Sequence, residues 1–197
     1  NVRRLALLKL LYMYGGLLLP SATVVLDNLY NTYLNNIRKN GIFVGTKLSD
    51  SIKTKDKSLS PDINLMGCVK ENEIVKELIK KMEILISQDY TDESTFKGTV
   101  DDYLRDNIKN KSITQMNCKT VGVVDNNYKL INIDDLFGTT YIDFSNETKC
   151  IVIPHKQLLS RTKYGWFLRL SEEQIYDSNC ALAKWIVISL GGGISCI

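Results

Sequence analysis

Residues 1–26 constrain the fold most: a Leu-rich helical stretch is stopped by two glycines and runs at once into short apolar segments. Between residues 2 and 14, Leu5, Leu8, Leu11 and Tyr12 recur at helical spacing, and Leu7, Leu10 and Tyr14 widen the stripe. A stripe this wide predicts a mostly buried helix. Gly15-Gly16 ends it, because glycine accepts the left-handed conformation of a helix C-cap. Residues 17–19 and 23–26 read as short buried strands, broken at Pro20.

The same switching of period continues. Asp27 is placed to cap a helix over residues 28–37, with Leu29, Tyr30, Tyr33 and Ile37 on one side. Asn40-Gly41 is a turn, and residues 42–45 read as a central strand. Residues 46–62 are polar and lysine-rich and predict an exposed loop. Residues 63–68 read as a strand leading into a helix over 71–87. Its apolar face is Ile74, Val75, Leu78, Ile79, Met82 and Leu85, and Glu77 is spaced to pair with Lys80 and Lys81. After an acidic turn at 89–93, a helix over 94–109 carries Phe96, Val100, Tyr103 or Leu104, and Ile108.

From residue 111 the pattern changes to β. Residues 121–124 and 128–133 read as a hairpin around Asp125-Asn126-Asn127, with further strands at 141–144 and 150–153. Ser171 and Gln174 fit a capping box, from which a helix should run to about residue 190. Gly191-Gly192-Gly193 stops it; no Gly-Lys-Ser/Thr follows, so it is not a P-loop. The expected architecture is α/β: a mixed sheet flanked by helices over 1–110, then a β-rich extension and a terminal helix over 111–197, packed with the first part as one domain.

With 197 residues, 44% hydrophobic and 24% charged, the chain can bury a real core and has no disorder signature. The net charge of +3 is small and scattered, which argues against nucleic acid. No apolar run reaches the roughly 20 residues of a spanning helix. The cysteines, Cys68, Cys118, Cys150, Cys180 and Cys196, are odd in number and widely spaced, which favours free thiols in a reducing compartment and leaves a disulfide open. With a single histidine, His155, and no closely spaced ligand pair, a zinc site is not expected.

The stretch Tyr12-Met13-Tyr14-Gly15-Gly16, with its short strand, resembles the sugar-nucleotide region of GT-A-fold glycosyltransferases. In that family a helix ending Tyr-x-Tyr-Gly-Gly leads into Asp-x-Asp, whose aspartates hold a divalent metal against the donor diphosphate. Here the slot falls on Pro20, Ser21 and Ala22. A hard cation needs oxygen ligands, and Ser21 alone offers a weak neutral one. The family's earlier acid and arginine fall on Arg4 and Leu7. Tyr14, Gly15, Gly16, Pro20, Ser21 and Ala22 thus form a degenerate site, with no metal or other cofactor implied. The order strand–helix in INLMGCVKENEIVKELIKKMEIL also follows the family. A nucleotide-binding β/α half precedes this helix in such enzymes, so the resemblance implies a C-terminal portion of a longer protein, with any membrane anchor before Asn1.

The stretches GGLLLPSATVV and IPHKQLLSRTKYGWFLRLSEEQI are similar to glycosyltransferase-like proteins of large nucleocytoplasmic DNA viruses. That implies a pseudoenzyme in the virion or infected-cell cytoplasm, with capsid or other virion proteins as partners. The second reading is an active metal-independent glycosyltransferase. In it, Lys156, Arg161 and Lys163 would stabilise the leaving diphosphate and Asp92 or Glu93 would face the acceptor; Mn²⁺ or Mg²⁺ would matter only to an active enzyme. His155, Lys156, Arg161, Lys163, Tyr164 and Trp166 are the candidate anion or sugar contacts, set against a purely structural role for the aromatic residues. Asp92, Glu93, Asp101 and Asp102 are either a relocated metal or acceptor site or acids favoured at a helix start.

Overall fold

In a computed structural model, which describes residues 1–48, 59–88, 93–160 and 162–191 (only the backbone at 93–95, 155 and 156), the chain divides into two compact units. One comprises Asn1–Pro20 and Tyr30–Asn117, the other Ser21–Leu29 and Cys118–Ile197.

The first unit is a mixed four-stranded sheet flanked by helices. Its elements are α1 (Val2–Tyr14), β1 (Gly16–Leu18), α2 (Leu29–Asn40), β3 (Ile42–Leu48), β4 (Leu59–Cys68), α3 (Glu73–Ser87), α4 (Glu93–Lys109) and β5 (Thr114–Gln115); β2 (Thr23–Val25) belongs to the second unit. The strand order is β1-β4-β3-β5, with β4 antiparallel to both neighbours and β5 parallel to β3. Asn72 caps α3 by accepting from the N–H groups of Ile74 (3.0 Å) and Val75 (3.3 Å). Leu8, Leu11, Ile42, Met66, Leu78, Met82, Phe96 and Leu104 are among the buried residues of one core.

The helix α1 ends where expected, but its stripe is not mostly buried. Leu8 and Leu11 enter the core, while Leu7, Leu10, Met13 and Tyr14 are exposed. The apolar residues surround the helix, and α3 with the sheet covers only one arc of it.

The expected loop over 46–62 is a strand at both ends. β3 reaches Leu48 and β4 begins at Leu59, with pairs from Gly45↔Asp62 to Leu48↔Leu59. A register shift between Val44 and Gly45 sets Ile63, Asn64 and Leu65 of β4 outside the pairing, a bulge that hides the alternation. A side chain at Gly45 would lie 2.6 Å from Leu65. Residues 49–58 lie outside the described residues. Glu77 meets the Tyr103 hydroxyl at 3.0 Å on the neighbouring helix rather than bonding along its own.

The second unit pairs β2 antiparallel with β6 (Cys150–Val152) and carries short helices: α5 (Ile133–Leu136), α6 (His155–Ser160), α7 (Glu172–Tyr176) and α8 (Ala181–Ser189). It is not β-rich. The expected 121–124/128–133 hairpin is a single bridge, Val124↔Leu130. Asp125 Oδ1 takes the N–H groups of Asn127 and Lys129, and Tyr128 adopts φ 64°, so the chain curls instead of extending a ladder. Residues 141–144 form no strand; Asn126 N–H donates to the Asp143 carbonyl. The expected terminal helix is two helices. Asp177 and Ser178 close α7 through bonds to Glu173 and Ile175, and α8 restarts with Ala181 N–H donating to the Gly138 carbonyl. The capping box at Ser171 and Gln174 is present.

Residues 111–117 stay with the first unit through β5, and residues 21–29 join the second through β2. Among the described residues, no helix is long and apolar enough to cross a membrane.

Candidate functional site

The degenerate stretch begins at the C-terminus of α1. Gly15 adopts φ 68° and donates to the Leu11 carbonyl at 2.8 Å. A side chain there would meet the Lys70 backbone nitrogen at 2.8 Å, so the site requires glycine for space as well as for conformation. Glu71 N–H donates to the Tyr12 carbonyl at 2.8 Å, which ties the end of α1 to the turn before α3. Tyr14 is 73% exposed.

β1 then pairs with the end of β4, Gly16↔Cys68 to Leu18↔Met66. Pro20 closes the first unit's opening segment, and Ser21 and Ala22 open the second unit. The Ala22 carbonyl accepts from Ile153 N–H at 2.9 Å, extending the β2–β6 pairing by one step. The three slot residues therefore make the crossing from one unit to the other. Of the slots earlier on α1, Arg4 Nε donates to Asn64 Oδ1 at 3.1 Å, and Leu7 is exposed.

In the second candidate segment, Lys163 Nζ bonds Asp134 Oδ1 at 3.0 Å, which raises its pKa, and Tyr164 donates its hydroxyl to the same oxygen. Tyr164 is buried and stacks on Phe137 at 5.0 Å. Trp166 meets Phe137 edge-on at 6.3 Å and keeps 43% of its surface exposed. Lys163, Tyr164 and Trp166 thus gather around Asp134 and Phe137. Arg161 and the side chains of His155 and Lys156 lie outside the described residues.

Among the acids proposed at the start of α4, Asp92 and the Glu93 side chain lie outside the described residues. Asp101 turns to the sheet, where Lys47 Nζ lies 3.6 Å away, while Asp102 is exposed. Burial raises the Asp101 pKa, and Lys47 opposes the rise. The Cys68 and Cys150 thiols are pushed up by burial to about 12 and about 11, so both are protonated and unreactive at neutral pH. Cys68, Cys118, Cys150 and Cys180 form no disulfide among the described residues.

One feature of the second unit was not visible in the sequence. A hollow of about 270 Å³ is lined by Asp125, Asp134, Asp135, Asp143, Lys129 and Tyr141, among others. Each carboxylate in it is already engaged: Asp125 by backbone N–H groups, Asp134 by Lys163 and Tyr164, Asp135 by Asn132 N–H and by Lys129 at 3.6 Å, Asp143 by Asn126 at 3.5 Å. The sequence signal was only a series of Asp-rich turns, which brings together groups eighteen positions apart (Asp125 and Asp143). Among the described residues, no group of three or more His, Cys, Asp or Glu is placed to hold a metal ion.

A scan against protein-family models finds no match, and comparisons with curated proteins and with solved structures find no significant relative.

Proposed function

We propose that the chain is a catalytically degenerate glycosyltransferase-like protein of the GT-A type with a structural or protein-binding role, of the kind associated with virions of large nucleocytoplasmic DNA viruses. The observation that supports this reading most is the stretch from Tyr14 to Ala22. The helix, the two glycines and the short strand are formed, while the slot that carries paired acids in the enzymes holds Pro20, Ser21 and Ala22. Two positions without side-chain oxygen offer no carboxylate to a hard cation beside a diphosphate. The mixed sheet flanked by helices is compatible with that frame.

Calorimetric titration with UDP- and GDP-sugars, with and without Mn²⁺, tests the reading. The expected result is no heat of binding from protein shown to be folded by circular dichroism. Mn²⁺-dependent binding would overturn the proposal, and metal-independent binding would favour an active enzyme that uses basic side chains.

A further inference from the structure

In the first unit the parallel strands β3 and β5 start at the same end of the sheet, and the helices that lead into them, α2 and α4, both finish there. Phe43 pairs with Thr114, and Asn40 Nδ2 donates to Thr114 Oγ1 at 3.2 Å. The two helix exits therefore lie side by side, although Lys39 and Lys109 are seventy positions apart in the chain. One exit carries Arg38 and Lys39, the other Lys109 and Lys111, and all four are exposed. No acid occurs in residues 28–48 or 107–117. Among the described residues, none of the four side chains makes a hydrogen bond or ion pair.

A helix C-terminus attracts a cation with about half a unit of negative charge, so the two ends together offset about one of the four. Asp106, whose carbonyl takes the Asn110 N–H at 2.9 Å, is the nearest acid along α4 and leaves a surplus of about two positive charges. Beside Gly41, Lys70 and Glu71 pair with each other at 3.5 Å and cancel. Lys111 lies beyond α4 at φ 59°, the left-handed position that Gly41 fills at φ 67° after α2. Glycine reaches that backbone without steric cost and lysine does not, so what Lys111 adds at this position is its charge.

The groups around the cations select the anion. Residues 38–41 and 109–112 contain no apolar side chain, and Val69 beside Gly41 is too small an apolar group to anchor them in a lipid surface. Among the described residues, no exposed aromatic side chain stands at either exit, so an unpaired base has no platform on which to stack. Cations flanked by amides and hydroxyls, here Asn40, Asn110 and Ser112, contact phosphate and sugar and read no sequence. We infer that this end of the first unit binds the phosphate backbone of a nucleic-acid duplex without sequence preference, through Arg38, Lys39, Lys109 and Lys111. The net charge of +3 does not reveal the surface, because the cations gather only where β3 and β5 pair.

Fluorescence anisotropy of a labelled duplex DNA of arbitrary sequence, titrated with the full chain at several salt concentrations, tests the inference. The expected result is weak binding, with a Kd of about 10⁻⁴–10⁻⁶ M at physiological salt. Its logarithmic salt slope should be about −3.6, at 0.9 per neutralised phosphate for four contacts. Lys39→Gln and Lys111→Gln should each reduce that slope by about one and weaken binding to every sequence alike. Lys80→Gln on α3 should leave the slope unchanged, and all three variants should melt with the native protein, since each side chain is exposed. No binding at low salt would overturn the inference. So would a slope indifferent to both Lys39→Gln and Lys111→Gln, which would move the contact elsewhere, or equal binding to polyglutamate or to vesicles of anionic lipid, which would contradict the choice of a duplex.

Discussion

In the first unit, helices of 12 to 17 residues and a four-stranded sheet satisfy most backbone polar groups, and the core is aliphatic with a few aromatic residues. In the second, helices of four to nine residues and one strand pair are joined by turns whose N–H groups are taken by Asp125, Asn132 and Ser171. Its core is organised by rings: Phe137 contacts Tyr164, Trp166 and Phe167, and Trp185 contacts Tyr141 and Phe144. Periodic apolar sequence produces the first kind of region. Local side chain–backbone bonds around aromatic anchors produce the second, and they leave little periodicity to read.

The difference can be broken most forcefully at the aromatic hub. Phe137→Ala should cost about 3–5 kcal/mol in chemical denaturation, with loss of near-ultraviolet dichroism, because several rings lose a shared neighbour. Leu8→Ala in the first core should cost about 2–5 kcal/mol. If Phe137→Ala were nearly neutral, the second unit would be held by its turns and not its rings.

Caps supply the next effect. Asn132 accepts from the N–H groups of Asp134 and Asp135, and Asp135 returns a bond to Asn132 N–H. Asn132→Ala should cost about 1 kcal/mol by thermal melting. An exposed change such as Lys80→Ala on α3 should stay within about 0.5 kcal/mol.

The smallest contrast is in titration. Burial raises the pKa of Asp101 in the first unit, while the hydrogen bond from Lys149, helped by Asn28 N–H, lowers that of Asp27 in the second. Carboxyl NMR on lowering pH should show Asp101 taking up its proton before Asp27. The linked stabilities have opposite signs. The contribution of Asp101 is fully present below the ordinary carboxylate pKa and is lost as pH rises through its raised value. That of Asp27 is present above the ordinary value and is lost as pH falls through its lowered one. The reverse order of protonation would contradict both assignments.

Much of the first unit was legible because its signals are local and periodic. The run from Leu5 to Leu11 and the stop at Gly15 define α1, and Ile74 to Met82 define the face of α3. The bulge at Ile63-Asn64-Leu65 was not legible, since an unpaired insertion breaks the alternation that marks a strand. Nor could periodicity reveal that Leu7 and Leu10 are uncovered, because it reports apolarity and not the neighbour. At the C-terminus, Ile175 and Leu182 stay in phase across the break at Asp177 and Ser178, so one helix and two give the same pattern. The slot at Pro20, Ser21 and Ala22 could be read directly, whereas its use as the crossing between units depends on the distant strand β6.

The central claim is that this slot has lost its metal. Electron paramagnetic resonance of Mn²⁺ added to the folded protein with UDP tests it most directly. The account predicts the spectrum that Mn²⁺ and UDP give without protein. A protein-dependent loss of that signal that Ser21→Ala abolishes would contradict it.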